Sequence, residues 1–93
     1  MPRVSWTAPA VADLSNIRQW LQRETSSAFA LDVLKRIRVC ADRLSSFPAL
    51  GPLVTGDMHK LNVRGTPYRI FYRVSSGAVG VVRIRHSREN WRS

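Results

Sequence analysis

Basic side chains recur at alternate positions in three segments near the C-terminus, at 58–64, 68–74 and 79–86. These segments are rich in β-branched and aromatic residues, and turn residues at 65–67 and 75–77 separate them, which predicts a three-stranded meander. Because side chains alternate across a strand, one face of the meander is mostly cationic. That face carries Lys60, Asn62, Arg64, Arg69, Phe71, Arg73, Arg83 and Arg85. Such a row of guanidinium groups favours phosphates or an acidic protein partner.

The composition is that of a small, basic globular domain. The 93 residues contain 15 Lys and Arg against 6 Asp and Glu, which gives a net charge of +9, and 44% of the residues are hydrophobic. This hydrophobic content argues against a disordered chain, and we expect a single domain over residues 1–93. No apolar run reaches the length of a membrane span and no secretion signal precedes the chain's first strand, so we expect a cytoplasmic protein without a membrane partner.

The cysteine and histidine content predicts neither a metal nor another cofactor. Cys40 is the single cysteine and lies among apolar residues, where we expect a small buried side chain rather than a nucleophile. The two histidines, His59 and His86, fall in different predicted strands, so the chain has no ligand spacing typical of a metal site.

The elements that position the cationic face follow from hydrophobic periodicity. Residues 3–7 alternate as a strand, and helical spacing predicts helices over about 9–24 and, after the hydroxyl residues 25–27, up to about residue 44. An irregular connector with two prolines follows at 47–54. The meander has an apolar face that needs a core, made of His59, Leu61, Val63, Tyr68, Ile70, Tyr72, Val74, Val82 and Ile84. We therefore predict an α+β fold of order β-α-α-β-β-β, in which a two-helix hairpin packs on one face of a largely antiparallel sheet.

Five sequence features in this order resemble the RelE/ParE superfamily, the toxins of bacterial type II toxin–antitoxin systems. They are the Ala10/Asp13-Leu14/Ile17 pattern, the connector Phe47-Pro48-x-x-Gly51, the strand Tyr68-Arg69-Ile70-Phe71-Tyr72-Arg73-Val74, the ending Val82-Arg83-Ile84-Arg85-His86, and Arg88 two residues later. The resemblance spans nearly the whole chain. It implies a toxin that inhibits growth when free and is neutralised by a cognate antitoxin.

The superfamily divides into two mechanisms. RelE-like members are ribosome-dependent endoribonucleases that cut messenger RNA, whereas ParE-like members inhibit DNA gyrase and are not known as nucleases. By resemblance, Arg69 falls where nuclease members carry a catalytic arginine, and His86 falls where several carry a histidine. We expect Arg69 and Arg83 to stabilise the phosphate and His86 to act as acid or base, since an imidazole side chain suits proton transfer at neutral pH. The remaining predicted contacts to nucleic acid or to a partner are Lys60, Arg64, Arg73, Arg85, Arg88 and Trp91.

Two departures from the nuclease pattern keep the alternatives open. The region before the meander offers only Asp57 where some nucleases carry a glutamate base, and Trp91 stands in place of a C-terminal tyrosine. Because side chains alternate along a strand, His86 also lies on the same face as Ile84 rather than with the arginines. The sequence favours ribosome-dependent cleavage of messenger RNA, without a metal, over gyrase inhibition, with a non-toxic antitoxin-binding module as a third hypothesis.

Overall fold

A computed structural model describes residues 3–88 of the chain. Its elements follow the order β1 (Arg3–Trp6), α1 (Ala8–Glu24), α2 (Ser27–Asp42), a 3-10 turn (Arg43–Ser45), β2 (Leu53–Thr55), β3 (Met58–Asn62), β4 (Tyr68–Ser75) and β5 (Ala78–His86). Two helices pack on a five-stranded, mostly antiparallel sheet. The predicted fold class is therefore confirmed. None of the helices within residues 3–88 combines the length and apolar character that a membrane crossing requires.

Both helices begin where the sequence provides a hydroxyl cap. The Thr7 side chain accepts a hydrogen bond from the backbone N–H of Ala10 at 3.2 Å, and Pro9 occupies the first turn of α1. The Ser26 hydroxyl accepts from the N–H of Phe29 at 3.1 Å at the start of α2. Since the first N–H groups of a helix have no partner inside it, these caps fix the two start points and leave only a short turn between the helices.

The strands lie in the order β1-β5-β4-β3-β2, with β1 parallel to β5 and every other pair antiparallel. The β4–β5 hairpin turns through Ser76 and Gly77, both at positive φ, which matches the twist of paired strands. Strand β2 differs from the prediction of an irregular connector over residues 47–54. It contributes only three residues and pairs with β3 through an irregular register.

The core lies between the helices and the sheet. Its buried members include the predicted inward tyrosines, Tyr68 and Tyr72. They are Ala10, Leu21, Ala30, Val33, Ile37, Ala41, Leu44, Val63, Tyr68, Ile70, Tyr72, Val79, Val81 and Ile84. The predicted inward position of Val82 is wrong. The register of β4 against β5 shifts at this point, so that Val81 pairs with Tyr72, Arg83 pairs with Phe71, and Val82 is an extra, half-buried residue in a β-bulge.

A hydrogen-bond network holds the connector before β2 against the sheet. The Tyr72 hydroxyl accepts from the Gly51 N–H at 2.8 Å and donates to the Pro48 carbonyl at 2.9 Å. His59 stacks on the Tyr72 ring with centroids 4.9 Å apart, and its Nδ1 lies 2.7 Å from the Gly51 carbonyl oxygen. A Cβ at Gly51 would lie 2.5 Å from the Lys60 carbonyl oxygen, which explains the glycine of the Phe-Pro-x-x-Gly motif.

Candidate functional site

The outer face of the sheet, opposite the helices, carries the cationic residues in register. Directly opposed residues share a face, so the pairing aligns Lys60, Phe71 and Arg83 in one row across β3, β4 and β5. Neighbouring rows are Asn62, Arg69 and Arg85, and Met58, Arg73 and Gly80. We call the basic members of these rows the cationic face: Lys60, Arg69, Arg73, Arg83 and Arg85.

Arg83 belongs to this face by register, but its side chain binds a carboxylate of α1. Its Nε and a terminal nitrogen donate to the two oxygens of Asp13 at 2.7 and 2.8 Å. The backbone N–H of Ile84 donates to the same carboxylate at 3.0 Å. The Asp13 side chain is only 13% exposed, so this is a largely buried, bidentate ion pair.

The position of the pair follows from where β1 ends. Strand β1 pairs with β5 only as far as Val81, after which the edge of β5 has no neighbouring strand. There Thr7 takes over, since its N–H donates to the Val81 carbonyl and its hydroxyl donates to the Val82 carbonyl. Asp13, less than two turns further along, accepts from the Ile84 N–H. Asp13 therefore satisfies an edge donor and anchors α1 to β5.

Arg69 remains available to an anion. Within residues 3–88 no acidic side chain lies within ion-pair distance of its guanidinium group. It is half-buried and borders a cavity of about 170 Å³. The other residues that line the cavity are Asn62, Thr66, Pro67, Tyr68 and Ser87. A cation, an amide and a hydroxyl around one cavity can hold a phosphate or a carboxylate.

His86 lies on the other side of the sheet from Arg69. It pairs with the buried Tyr68, whose ring it meets edge-on at a centroid distance of 5.5 Å. Its Nδ1 accepts a hydrogen bond from the Arg88 N–H at 3.1 Å, so the neutral ring carries its proton on Nε2. Strand alternation thus separates His86 from the cationic face, and the structure does not bring Arg69, Arg83 and His86 together on one face.

The other predicted contact residues have different surroundings. Arg73 is exposed and donates from Nε to Asp57 at 2.9 Å, while Arg85 pairs with Arg69 across the strands. The prediction that Arg64 shares the cationic face is wrong, because β3 ends at Asn62 and Arg64 lines a groove beside α2. Arg88 is exposed just after β5. Trp91 lies outside the described residues.

Comparison with known proteins adds the family. The model of the family described as the ParE toxin of the type II toxin–antitoxin system parDE matches residues 4–91. The chain belongs to the ParE toxin family. This toxin is 39% identical over 87 residues to Toxin RelE2 of Caulobacter vibrioides, an alignment that covers 94% of this chain and 97% of the relative.

The fold has a solved counterpart. A chain in the structure titled "Chromosomal ParDE TA system from P. aeruginosa" matches this toxin with a TM-score of 0.83 at 22% identity, covering 92% of this chain and 96% of the other. The superfamily resemblance seen in the sequence is therefore confirmed, as is the class of the protein, a toxin of a type II toxin–antitoxin system with a cognate antitoxin as partner.

Asp13 is the site residue whose role sequence reasoning missed. It belongs to the Ala10/Asp13-Leu14/Ile17 pattern, but that pattern alone does not indicate Arg83 as its partner. A signal was present, because Asp13 lies three residues after the buried Ala10 and four before Ile17, which places a carboxylate on the core side of the toxin's first helix. A carboxylate in that position needs a cationic or N–H partner.

Proposed function

We propose that this ParE-family toxin inhibits growth by binding DNA gyrase through the cationic face, without cutting RNA. It would act in the cytoplasm whenever the cognate antitoxin is absent. The observation that best supports this proposal is the Arg83–Asp13 ion pair, because it engages an arginine that RNA cleavage would need to bind phosphate.

Cleavage of RNA at the ribose 2′-OH requires a base, a cationic stabiliser and an acid around one phosphate. In this toxin the Arg83 guanidinium donates two hydrogen bonds to Asp13, and moving that guanidinium to a phosphate would leave the largely buried Asp13 carboxylate without its cation. His86 pairs with Tyr68 on the core-facing side of β5. Of the three predicted catalytic residues, Arg69 alone combines an outer-face position with the absence of a bound carboxylate in the described part of the chain.

The cationic face has the properties of a protein-binding surface. Arginine is enriched in protein interfaces, where its planar group forms bidentate contacts with carboxylates. Arg69 and Arg85 carry such groups on adjacent strands, and the Lys60 ammonium lies on the next strand, so the sheet rather than a loop fixes their positions. A net charge of +9 also raises the rate of encounter with an acidic surface.

The test compares the target of the toxin in cells with its effect on purified gyrase. Expression without antitoxin should produce DNA breaks and an SOS response while transcripts stay intact, and the purified toxin should inhibit supercoiling. Arg69→Glu/Arg85→Glu should abolish both effects. Arg18→Glu/Arg23→Glu, the same charge change on exposed positions of α1, should retain them. Transcripts cut in phase with codons, together with unimpaired supercoiling, would overturn the proposal.

A second candidate function is the RelE-type cleavage of ribosome-bound messenger RNA, which the Arg69 cavity favours because its polar groups could hold a phosphate. In this mechanism Arg69 stabilises the phosphate and His86 transfers a proton. Arg69→Ala and His86→Ala should then each suppress transcript cutting on the ribosome. Full toxicity in both variants would exclude this candidate.

A further inference from the structure

The cavity of about 170 Å³ at the end of the cationic face lies beside a turn that hydrogen bonds hold in place. Between β3 and β4, the Thr66 hydroxyl donates to the Val63 carbonyl at 2.9 Å and accepts from the Tyr68 N–H at 3.1 Å. Ser87, which follows β5, is tied to the same turn because its N–H donates to the Pro67 carbonyl at 2.7 Å. The cavity is therefore preformed, and a ligand would not have to order its walls.

Three side chains of this cavity have donors for a ligand: the Arg69 guanidinium, the Asn62 amide and the Ser87 hydroxyl. The Thr66 hydroxyl is not among them, because it donates its proton to the turn. Among the described residues, none that lines the cavity is acidic. One full positive charge beside two neutral donors suits a ligand group with a single negative charge.

Two other arginines of the cationic face show which anion these positions hold. Arg83 donates from Nε to Asp13 at 2.7 Å, and Arg73 donates from Nε to Asp57 at 2.9 Å. Arg69 lies on the same strand and the same face as Arg73, but no carboxylate within residues 3–88 is within ion-pair distance of it. A carboxylate that reaches Arg69 would therefore come from another molecule.

We infer that the Arg69 cavity receives the carboxylate of an acidic side chain of DNA gyrase. This inference rests on the proposed function and names the contact by which the cationic face recognises its target. The Arg69 guanidinium would donate two parallel hydrogen bonds to the carboxylate, as Arg83 does to Asp13. Asn62 and Ser87 would donate to the remaining lone pairs. Since a rigid fork in a preformed cavity loses little entropy on binding, Arg69 should be a hot spot of the interface.

A nucleotide fits this cavity less well than an acidic side chain. The volume of about 170 Å³ is below the range of about 300–1,000 Å³ for sites that hold drug-sized ligands, so an anionic group fits without a base or a sugar. The nearby rings are also inaccessible for base stacking, since Phe71 in the rows of the outer face is 3% exposed and Tyr68 in the cavity lining is 6% exposed. A backbone phosphate of duplex DNA needs no stacking and is the alternative that the experiment must distinguish.

The principal experiment measures the affinity of purified gyrase, without DNA, for toxins altered in the cavity. Arg69→Gln should bind roughly 30-fold more weakly, which is the loss expected at a hot spot. Arg69→Lys keeps the charge but loses the planar fork, and should bind about tenfold more weakly. Arg18→Gln removes a charge from an exposed position of α1 and should bind as the wild type does. Equal affinities of Arg69→Gln and Arg18→Gln would overturn the inference.

A second pair of variants supplies the carboxylate from the toxin itself. Asn62 pairs with Arg69 across β3 and β4, so Asn62→Asp would place a carboxylate beside the guanidinium, as Asp57 lies beside Arg73. This variant should bind gyrase at least about tenfold more weakly, because the new carboxylate repels the incoming one and engages Arg69. Asn16→Asp makes the same change on an exposed position of α1 and should leave the affinity unchanged. Wild-type affinity of a folded Asn62→Asp toxin would contradict the assignment.

Chemical labelling of arginine gives a readout that needs no variant. Phenylglyoxal modifies accessible guanidinium groups, and mass spectrometry of peptides resolves the modified positions. Labelling of Arg69 should be at least about tenfold slower in the gyrase complex than in the free toxin, because the residues at the centre of an interface are shielded from solvent. Labelling of Arg18 should not change. An unchanged rate at Arg69 in a fully formed complex would show that no gyrase side chain enters the cavity.

Binding measured with and without DNA separates the ways in which the inference can fail. If Arg69→Gln weakens binding to a gyrase–DNA complex but not to gyrase alone, the cavity holds a DNA phosphate and the inference fails while gyrase remains the target. If Arg69→Gln binds both forms as the wild type does, the inference fails alone. If the wild-type toxin does not bind gyrase, the proposed function fails and the inference with it. A native circular dichroism spectrum of each variant serves as the control for folding.

Discussion

Removal of the Asp13 carboxylate should destabilise this toxin more than removal of a carboxylate from an exposed ion pair. Asp13→Ala removes both hydrogen bonds from Arg83 and leaves the Ile84 N–H without an acceptor. An unsatisfied buried donor costs about 1–3 kcal/mol, and the charge-assisted contacts add about 1 kcal/mol after discounting for the 37% exposure of Arg83. We therefore expect a loss of about 2–4 kcal/mol.

That loss is large relative to the whole stability of the domain. A chain of this length typically unfolds with a free energy of roughly 5–14 kcal/mol. With a urea dependence of about 1.5 kcal/mol per molar, a loss of 3 kcal/mol lowers the midpoint of urea unfolding by about 2 M. Circular dichroism of the purified wild-type and variant toxins measures that midpoint.

Asp57 and Arg73 offer a matched control. They form an ion pair of nearly the same length, 2.9 Å, but their side chains are 76% and 51% exposed. Asp57→Ala should cost less than about 0.5 kcal/mol because water screens an exposed pair. A double-mutant cycle of Asp13→Ala and Arg83→Ala should give a coupling energy of about 1–2 kcal/mol. If Asp13→Ala costs no more than Asp57→Ala, the structural role of the Arg83 pair is refuted, and Arg83 again becomes a candidate to bind phosphate.

The hydrogen bonds of the Tyr72 hydroxyl, and the ionisation of the Cys40 thiol and the Tyr72 phenol, give two further predictions. Tyr72→Phe should lower the free energy of unfolding by about 1–3 kcal/mol in urea, because the Gly51 N–H loses its acceptor; an unchanged midpoint would contradict this. Burial raises the pKa of both the Cys40 thiol and the Tyr72 phenol, so the folded state resists their ionisation. The resulting stability should be present at neutral pH and lost as the pH rises above about 9, which thermal unfolding would show as a fall in Tm. This fall in Tm should be smaller in the variant Cys40→Ala/Tyr72→Phe.

The local features of this fold could be predicted because they depend on neighbouring residues. Thr7 and Ser26 cap the helices as hydroxyl residues usually do, and the buried residues of α2, from Ala30 to Ala41, recur at helical spacing. Alternation along β4 predicts that Tyr68 and Tyr72 lie on its apolar face, and both are buried in the core. These signals are contained in short windows of sequence.

The missed features depend on residues that are distant in the chain. Strand β2 has three residues, too few to show an alternating pattern in the sequence. It forms by pairing with the edge of β3. The groove beside α2 that Arg64 lines combines residues 32–43 with residues 50 and 61–64, and only the packing of α2 beside β3 brings them together. Arg64 was placed on the wrong face because strict alternation was extended past Asn62, where the strand ends.

The β-bulge at Val82 connects these observations. Strict alternation from Val79 and Val81 would continue inward to Arg83 and Arg85, and would place two guanidinium groups in the core. The extra residue Val82 reverses which side chains face inward, so that Ile84 lies in the core and the arginines lie on the outer face. The bulge occurs where β1 ends, which leaves the Ile84 N–H on an open edge for Asp13 to accept, and it brings the Arg83 side chain to the same carboxylate. The irregularity that brings the arginines to the cationic face therefore also places one of them, Arg83, against Asp13, and this supports the proposal that the remaining cations bind a partner.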